Sequence, residues 1–151
     1  CIDRDIIIDG VVKEYFISTY MSGKMGMAAT SDTANRPVLL PFVNGNPGLT
    51  EALRKGEGIL ERDGILNICG DGILVTGFNG GNCNAATGEF SYGVEGFEFK
   101  DGQIARPIES MLITGDMVSL WNSLIAAGTD PMAGMSRQIP TLAFSDISFN
   151  S

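Results

Sequence analysis

The stretch "GFEFKDGQIARPI", residues 96 to 108, sets Asp101-Gly102 between two β-rich runs. Asp-Gly supplies the successive positive φ angles that a two-residue type I′ hairpin requires. The opening stretch "RDIIIDGVVKEYFIST" repeats the device at Asp9-Gly10. Two such reversals commit the chain to antiparallel pairing. They predict strands at 5–8 and 11–19, and again near 94–100 and 103–108.

Other segments fit the same plan. "GDGILVTGF" reads as a buried strand. Val38 to Leu40, flanked by Pro37 and Pro41, suits an edge strand or an extended crossing. "QIPTLAFSDISF" alternates Leu142 and Phe144, then Ile147 and Phe149, with a change of phase near Ser145-Asp146 that predicts a bulge or bend. "YMSGKMGMAAT" predicts a Met- and Gly-rich turn or short helix. "LTEALRKGEGILERDG" predicts a short or broken helix with Thr50 as N-cap and Glu51 at its positive end, interrupted by Gly56 and Gly58. The strongest helix is "DMVSLWNSLIAAG", where Asp116 starts the helix and Met117, Leu120, Trp121, Leu124 and Ile125 share one face. Gly128 is expected at the left-handed C′ position. The fold class expected is α+β and strand-rich, its antiparallel hairpins forming a barrel-like or sandwiched sheet with one well-defined helix near 116–127.

With 151 residues, 44% hydrophobic and 19% charged, the chain can bury a core of its own. Residues 1–151 are expected to be a single C-terminal domain of a longer chain. Eighteen acidic against ten basic residues give a formal charge of −8, which repels phosphate backbones and anionic lipid over a Debye length of about 8 Å. Neither nucleic acid nor membrane is expected as a partner. No apolar run approaches the roughly 20 residues that cross a bilayer. The three cysteines, Cys1, Cys69 and Cys83, form no C-x-x-C pair, so reduced thiols and a cytoplasmic location are expected. Cys69 and Cys83 read as small buried hydrophobes. Cys1 leaves two alternatives open: an N-terminal nucleophile of a hydrolase, or the lipid anchor of a surface binding module. The charges in "CIDRDIII" weaken the first.

The sequence contains no histidine. That removes the usual general base, the Ser-His and Cys-His pairs and the commonest zinc ligand together. "YMSGKMG" fails as a phosphate loop because Ser18 and Met25 stand where Gly and a hydroxyl residue are required, and Met21 breaks the S-x-x-K pattern before Lys24. Glu89, Glu95, Asp71 and Asp116 share no catalytic spacing and read as solvated carboxylates. "GFNGGN" reads as a Gly-bearing loop between strands, able to offer backbone N–H groups at a groove edge. No catalytic or metal-binding residue is assigned. The candidate binding residues are Asn79, Gly80, Gly81 and Asn82, with Ser91, Tyr92 and Gly93 opposite.

The order of these pieces carries a resemblance. "RDIIIDGVVKEYFISTYMSGKMGM", then "GDGILVTGFNGGNCNAATGEFSYGVEGFEFKDGQIARPIESMLITGDMVSLWNSLIAAGTD", then "IPTLAFSDISF" is similar to the C-terminal part of the TldD/PmbA family, once described as modulators of DNA gyrase. The matching turns are Thr87 to Gly93, Gly96-Phe97, Asp101 to Ile104, Pro107 to Ser110 and Gly128 to Asp130, while residues 30–70 match least. The resemblance implies a two-subunit, metal-dependent peptidase acting on unfolded or modified peptides. In its catalytic subunits a His-Glu-x-x-x-His helix and a later Cys, after the turn matched by Gly128-Thr129-Asp130, hold zinc. Here "PMAGMSRQIP" follows that turn without a Cys. The resemblance therefore points to the PmbA (TldE) branch, a partner that holds no metal in this chain and completes the cavity, with zinc in a TldD-like partner subunit. A homo-oligomer and a peptide substrate are the other expected partners. Tyr92, where Arg is common, and "ERDGILNIC", which looks inserted, depart from the family pattern.

Overall fold

The computed structural model describes residues 3–150, which divide into two compact units at Pro37/Val38. In the first, Asp9 and Gly10 take φ of 50° and 75° and join β1 (Ile7–Ile8) to β2 (Val11–Val12), with Ile8 opposite Val11. The strand expected to run to residue 19 pairs only as far as Val12. Ser18 diverts the chain: its hydroxyl accepts from Met21 N at 3.2 Å and caps α1 (Thr19–Met25), as a serine does where a helix begins. Thr30 closes the unit, its Oγ1 donating to Tyr15 O at 2.7 Å and accepting from Ile17 N at 3.0 Å. No residue of α1 is buried.

The second unit runs β3 (Phe42–Val43), α2 (Pro47–Arg54), α3 (Arg62–Cys69), β4 (Gly72–Cys83), β5 (Glu89–Lys100), β6 (Gln103–Asp116), α4 (Met117–Asn122), β7 (Leu124–Ala127), β8 (Leu142–Phe144) and β9 (Phe149–Asn150). Two antiparallel sheets result, ordered β3-β7-β8 and β4-β5-β6-β9. The strand-rich α+β class holds, but neither sheet closes into a barrel, and among the described residues α3 adds a helix to the well-defined one and the two short ones expected. Asp101 and Gly102, with φ of 49° and 72°, make the expected hairpin between β5 and β6. These strands are longer than predicted because pairing continues through Glu89 and Asp116. Val38 to Leu40 is an extended crossing, in which Leu39 N donates to Gln138 O at 3.1 Å.

Each sheet has its own core. Leu53 of α2, Ile65 of α3, Leu60, Ala126 and Ala143 form one, with Val43, Leu49, Cys69 and Ile125 packed around them. Phe90, Val94 and Ile113 form the other, against which Met117, Leu120, Cys83, Tyr92 and Phe149 pack. Cys69 and Cys83 pack against these cores but are half-buried rather than buried as expected, and burial pushes the Cys69 thiol up. The bend at Ser145-Asp146 is real, with Asp146 at φ 55°. It transfers the chain from one sheet to the other: β8 pairs with β7, and β9 with β6.

Three local expectations are corrected. The helix expected over 116–127 stops at Asn122; Leu124 to Ala127 is a strand with neighbours on both sides. Sheet pairing and burial of Ala126 and Ala127 outweigh their helix preference. Asp116 does cap the helix, accepting from Ser119 N at 2.9 Å. Trp121 is half exposed, edge-on to Phe144 at 5.8 Å, and not core. Gly128 does not adopt a left-handed C′ conformation. It is buried, and a Cβ there would lie 2.6 Å from both Leu60 O and Asp130 Oδ1.

At α2 the cap is Asn46, whose Oδ1 accepts from Leu49 N at 3.1 Å, with Pro47 leading the helix. Thr50 instead bonds back to Val43, accepting from its N and donating to its O. Gly56, at φ 75°, follows the helix end as the interruption predicted. Helix α3 was not foreseen, and its N-terminus explains why: Arg62 N donates to Asp130 Oδ2 at 3.0 Å, a cap supplied from 68 residues away.

Candidate functional site

The predicted loop at Asn79 to Asn82 lies inside strand β4, and the reversal falls instead at Asn84 to Gly88, where Gly88 N donates to Asn84 O at 2.7 Å. Pairing with β5 survives the glycines because β4 bulges. Phe78 faces Val94, Gly81 faces Tyr92, and Asn79 and Gly80 together oppose Gly93. Gly80 and Gly81 take φ of 77° and 134°, angles that let an extra residue enter a strand. Gly93 completes the fit, since a Cβ there would sit 2.8 Å from Asn79 O. The seven candidate residues therefore come together as one stretch of a two-strand ladder: Gly81 with Tyr92, Asn82 with Ser91, and the bulge with Gly93.

Two residues outside that set join it. Glu95 lies opposite Gly77, and its carboxylate covers the glycine: a Cβ on Gly77 would meet Glu95 Oε1 at 2.5 Å. Asn79 Nδ2 donates to Glu95 Oε2 at 3.1 Å. On the opposite face of the strands the Tyr92 ring crosses Gly81, where a Cβ would lie 2.3 Å from its Cδ1. Phe78 stands edge-on to Tyr92 at 5.7 Å, and Tyr92 stacks on Phe90 at 6.0 Å. Phe90 is buried, while Phe78 is 65% exposed. Glycines in β4 thus let two long side chains of β5 lean outward, a carboxylate on one face and an aromatic on the other. The period-2 alternation of Phe90, Tyr92 and Val94 was the available signal for the aromatic face. Nothing local marked Glu95, because the bulge that sets its neighbour is not visible in the sequence.

β4 ends its sheet, so its outer edge carries backbone N–H and C=O groups with no strand beside them among the described residues. From Gly72 to Cys83 it has no charged residue and no proline. Two bulges interrupt its pairing with β5, one of the usual protections against edge pairing.

The remaining carboxylates hold structure. Asp71 accepts from Asp101 N at 2.8 Å, and Glu89 from the Thr87 hydroxyl at 3.2 Å. The hydrogen bonds from Ser119 hold the Asp116 carboxyl below the usual range. Asp130 accepts from Arg62 N, from Thr141 N at 2.9 Å and from Thr141 Oγ1 at 2.7 Å. Thr129 clasps the same corner: its N donates to Leu60 O, and its Oγ1 accepts from Leu60 N at 2.9 Å. Among the described residues no three His, Cys, Asp or Glu side chains gather in a way that could hold a metal ion. The residues present do not fit a metallopeptidase centre. Cys1, on which the nucleophile and lipid-anchor alternatives rest, lies outside the described residues. Among those residues no helix is long and apolar enough to cross a membrane.

The fold has counterparts in known proteins. A family model described as the PmbA/TldA metallopeptidase C-terminal domain matches residues 2–151, and the chain belongs to this family. Among its relatives, the metalloprotease PmbA of Escherichia coli O157:H7 is 28% identical over 127 residues, covering 84% of this chain and 25% of that protein. A Haemophilus influenzae homolog of PmbA is 29% identical over 128 residues, covering 85% and 26%. The chain thus spans about a quarter of the length of these curated relatives. A Bacteroides thetaiotaomicron crystal structure, described as a candidate modulator of DNA gyrase, superposes with a TM-score of 0.78 at 39% identity. It covers 97% of this chain and 30% of its own. A Thermotoga maritima structure described in the same way has a TM-score of 0.75 at 20% identity, covering 95% and 32%, and shares the fold.

Proposed function

We propose that this chain forms part of the wall of a peptidase cavity, in a PmbA-like subunit that binds no metal through these residues and works beside a zinc-bearing, TldD-like partner. The observation that carries the reading is the free, uncharged outer edge of β4. An extended peptide adds to such an edge as a further strand, and main-chain hydrogen bonds supply affinity with little regard to sequence. Unfolded or modified peptides suit that mode because their backbones are accessible. Asn79, Gly80, Gly81 and Asn82 lie on the edge strand; Ser91, Tyr92 and Gly93 form the ladder behind it.

Two features of the sequence support the non-metal role. There is no histidine, and no cysteine follows Cys83, whereas the resemblance puts a thiol ligand after the turn matched by Gly128 to Asp130. The name metalloprotease belongs to relatives about four times as long as this chain. The free thiols of Cys69 and Cys83 suit a reducing, cytoplasmic setting.

Backbone pairing is tested with peptides N-methylated at alternate residues in the two possible registers, assayed with the intact protein and its metallopeptidase partner. The register that blocks the amides facing β4 should abolish binding, and the other should leave it nearly unchanged. Equal effects of the two registers would overturn strand addition.

A further inference from the structure

We propose that the edge of β4 selects among extended peptides, favouring one that carries a large apolar side chain next to a basic residue. The inference rests on the strand-addition reading above. In a strand laid on β4, neighbouring side chains point to opposite faces, so two adjacent peptide residues sample both sides of the ladder at once. On one side the peptide meets Phe78, 65% exposed and braced from behind by Tyr92 at 5.7 Å, which is itself stacked on buried Phe90. That column is an aromatic surface with a fixed base, suited to an aromatic or long aliphatic side chain placed beside it.

The other side offers a carboxylate. Glu95 reaches over the bare backbone of Gly77 toward the strand edge, positioned by the amide of Asn79. It makes no ion pair among the described residues, whereas the neighbouring Glu98 is paired with Arg106. A cation on the incoming strand would complete it, and the formal charge of −8 draws basic peptides toward the protein. Because Tyr92 and Glu95 are three residues apart on β5, apolar and acidic contacts fall on opposite faces.

The test measures binding of end-blocked nonapeptides of Ser and Thr to the intact protein. One probe carries a central Phe followed by Lys; the others replace Phe with Ser, or Lys with Glu. The Phe-Lys probe should bind about tenfold or more tightly than the Ser-Lys probe, as burial of an aromatic side chain implies. F78S should erase that difference while leaving the preference for Lys over Glu. E95Q should do the reverse. Equal binding of all three probes would overturn the selectivity and leave strand addition standing, whereas no binding of any probe would overturn both. Self-association of the intact protein that F78S abolishes, seen by sedimentation, would also overturn the proposal, since the edge would then be covered by a second copy.

Discussion

At the scale of single residues, the corner around Asp130 is the most consequential. Burial pushes this carboxyl up, but the hydrogen bonds from Thr141 and from Arg62 N outweigh burial and hold it below the ordinary range. A carboxyl depressed in the folded state stabilises fully above its unfolded pKa of about 4, and that contribution is lost as pH falls through the lower folded value. Asp130→Asn should therefore cost about 1–2 kcal/mol at pH 7, with the gap to the unmodified protein narrowing toward pH 3, as urea melts at the two pH values will show. A gap independent of pH would mean that the charge contributes nothing. Gly128→Ala, beside it, should cost about 1–3 kcal/mol through crowding against Leu60 O and Asp130 Oδ1. The sequence displayed both residues and hid their partners. Gly128 looked like a helix stop, although its role is to leave room where two distant segments meet.

At the scale of elements, what the sequence disclosed was governed by distance. The Asp-Gly hairpins, the Asp116 cap and the bend at Ser145-Asp146 depend on adjacent residues and could be read directly. Helix α3, capped from 68 residues away, could not. Nor could the switch from α4 to β7, where Leu124 and Ile125 fit either period and pairing decides. The seven candidate residues lie together on one stretch of ladder, but the bulge that sets Glu95 and Phe78 beside them was not legible. The local cap at α2 offers a direct check: Asn46→Ala should cost about 1 kcal/mol in thermal or urea unfolding, with Thr50→Ala acting instead through Val43. Amide exchange should be slowest along β5, which has neighbours on both sides, and should alternate along β4 between protected and unprotected amides. A bound peptide should slow the fast set. Uniform protection along β4 in the free protein would mean that its edge is already covered.

At the scale of the whole molecule, the chain belongs to a metallopeptidase family and spans about a quarter of the length of its curated relatives. The fold supplies a strand edge and the sequence a negative field, and on the proposed reading bond cleavage falls to a zinc-bearing companion. The most direct test measures bound transition metal and peptide cleavage for the intact protein alone, and again after mixing with its metallopeptidase partner. The account predicts no stoichiometric metal and no cleavage from the protein alone, with cleavage emerging in the mixture. One tightly held metal per chain, together with cleavage in the partner's absence, would contradict it.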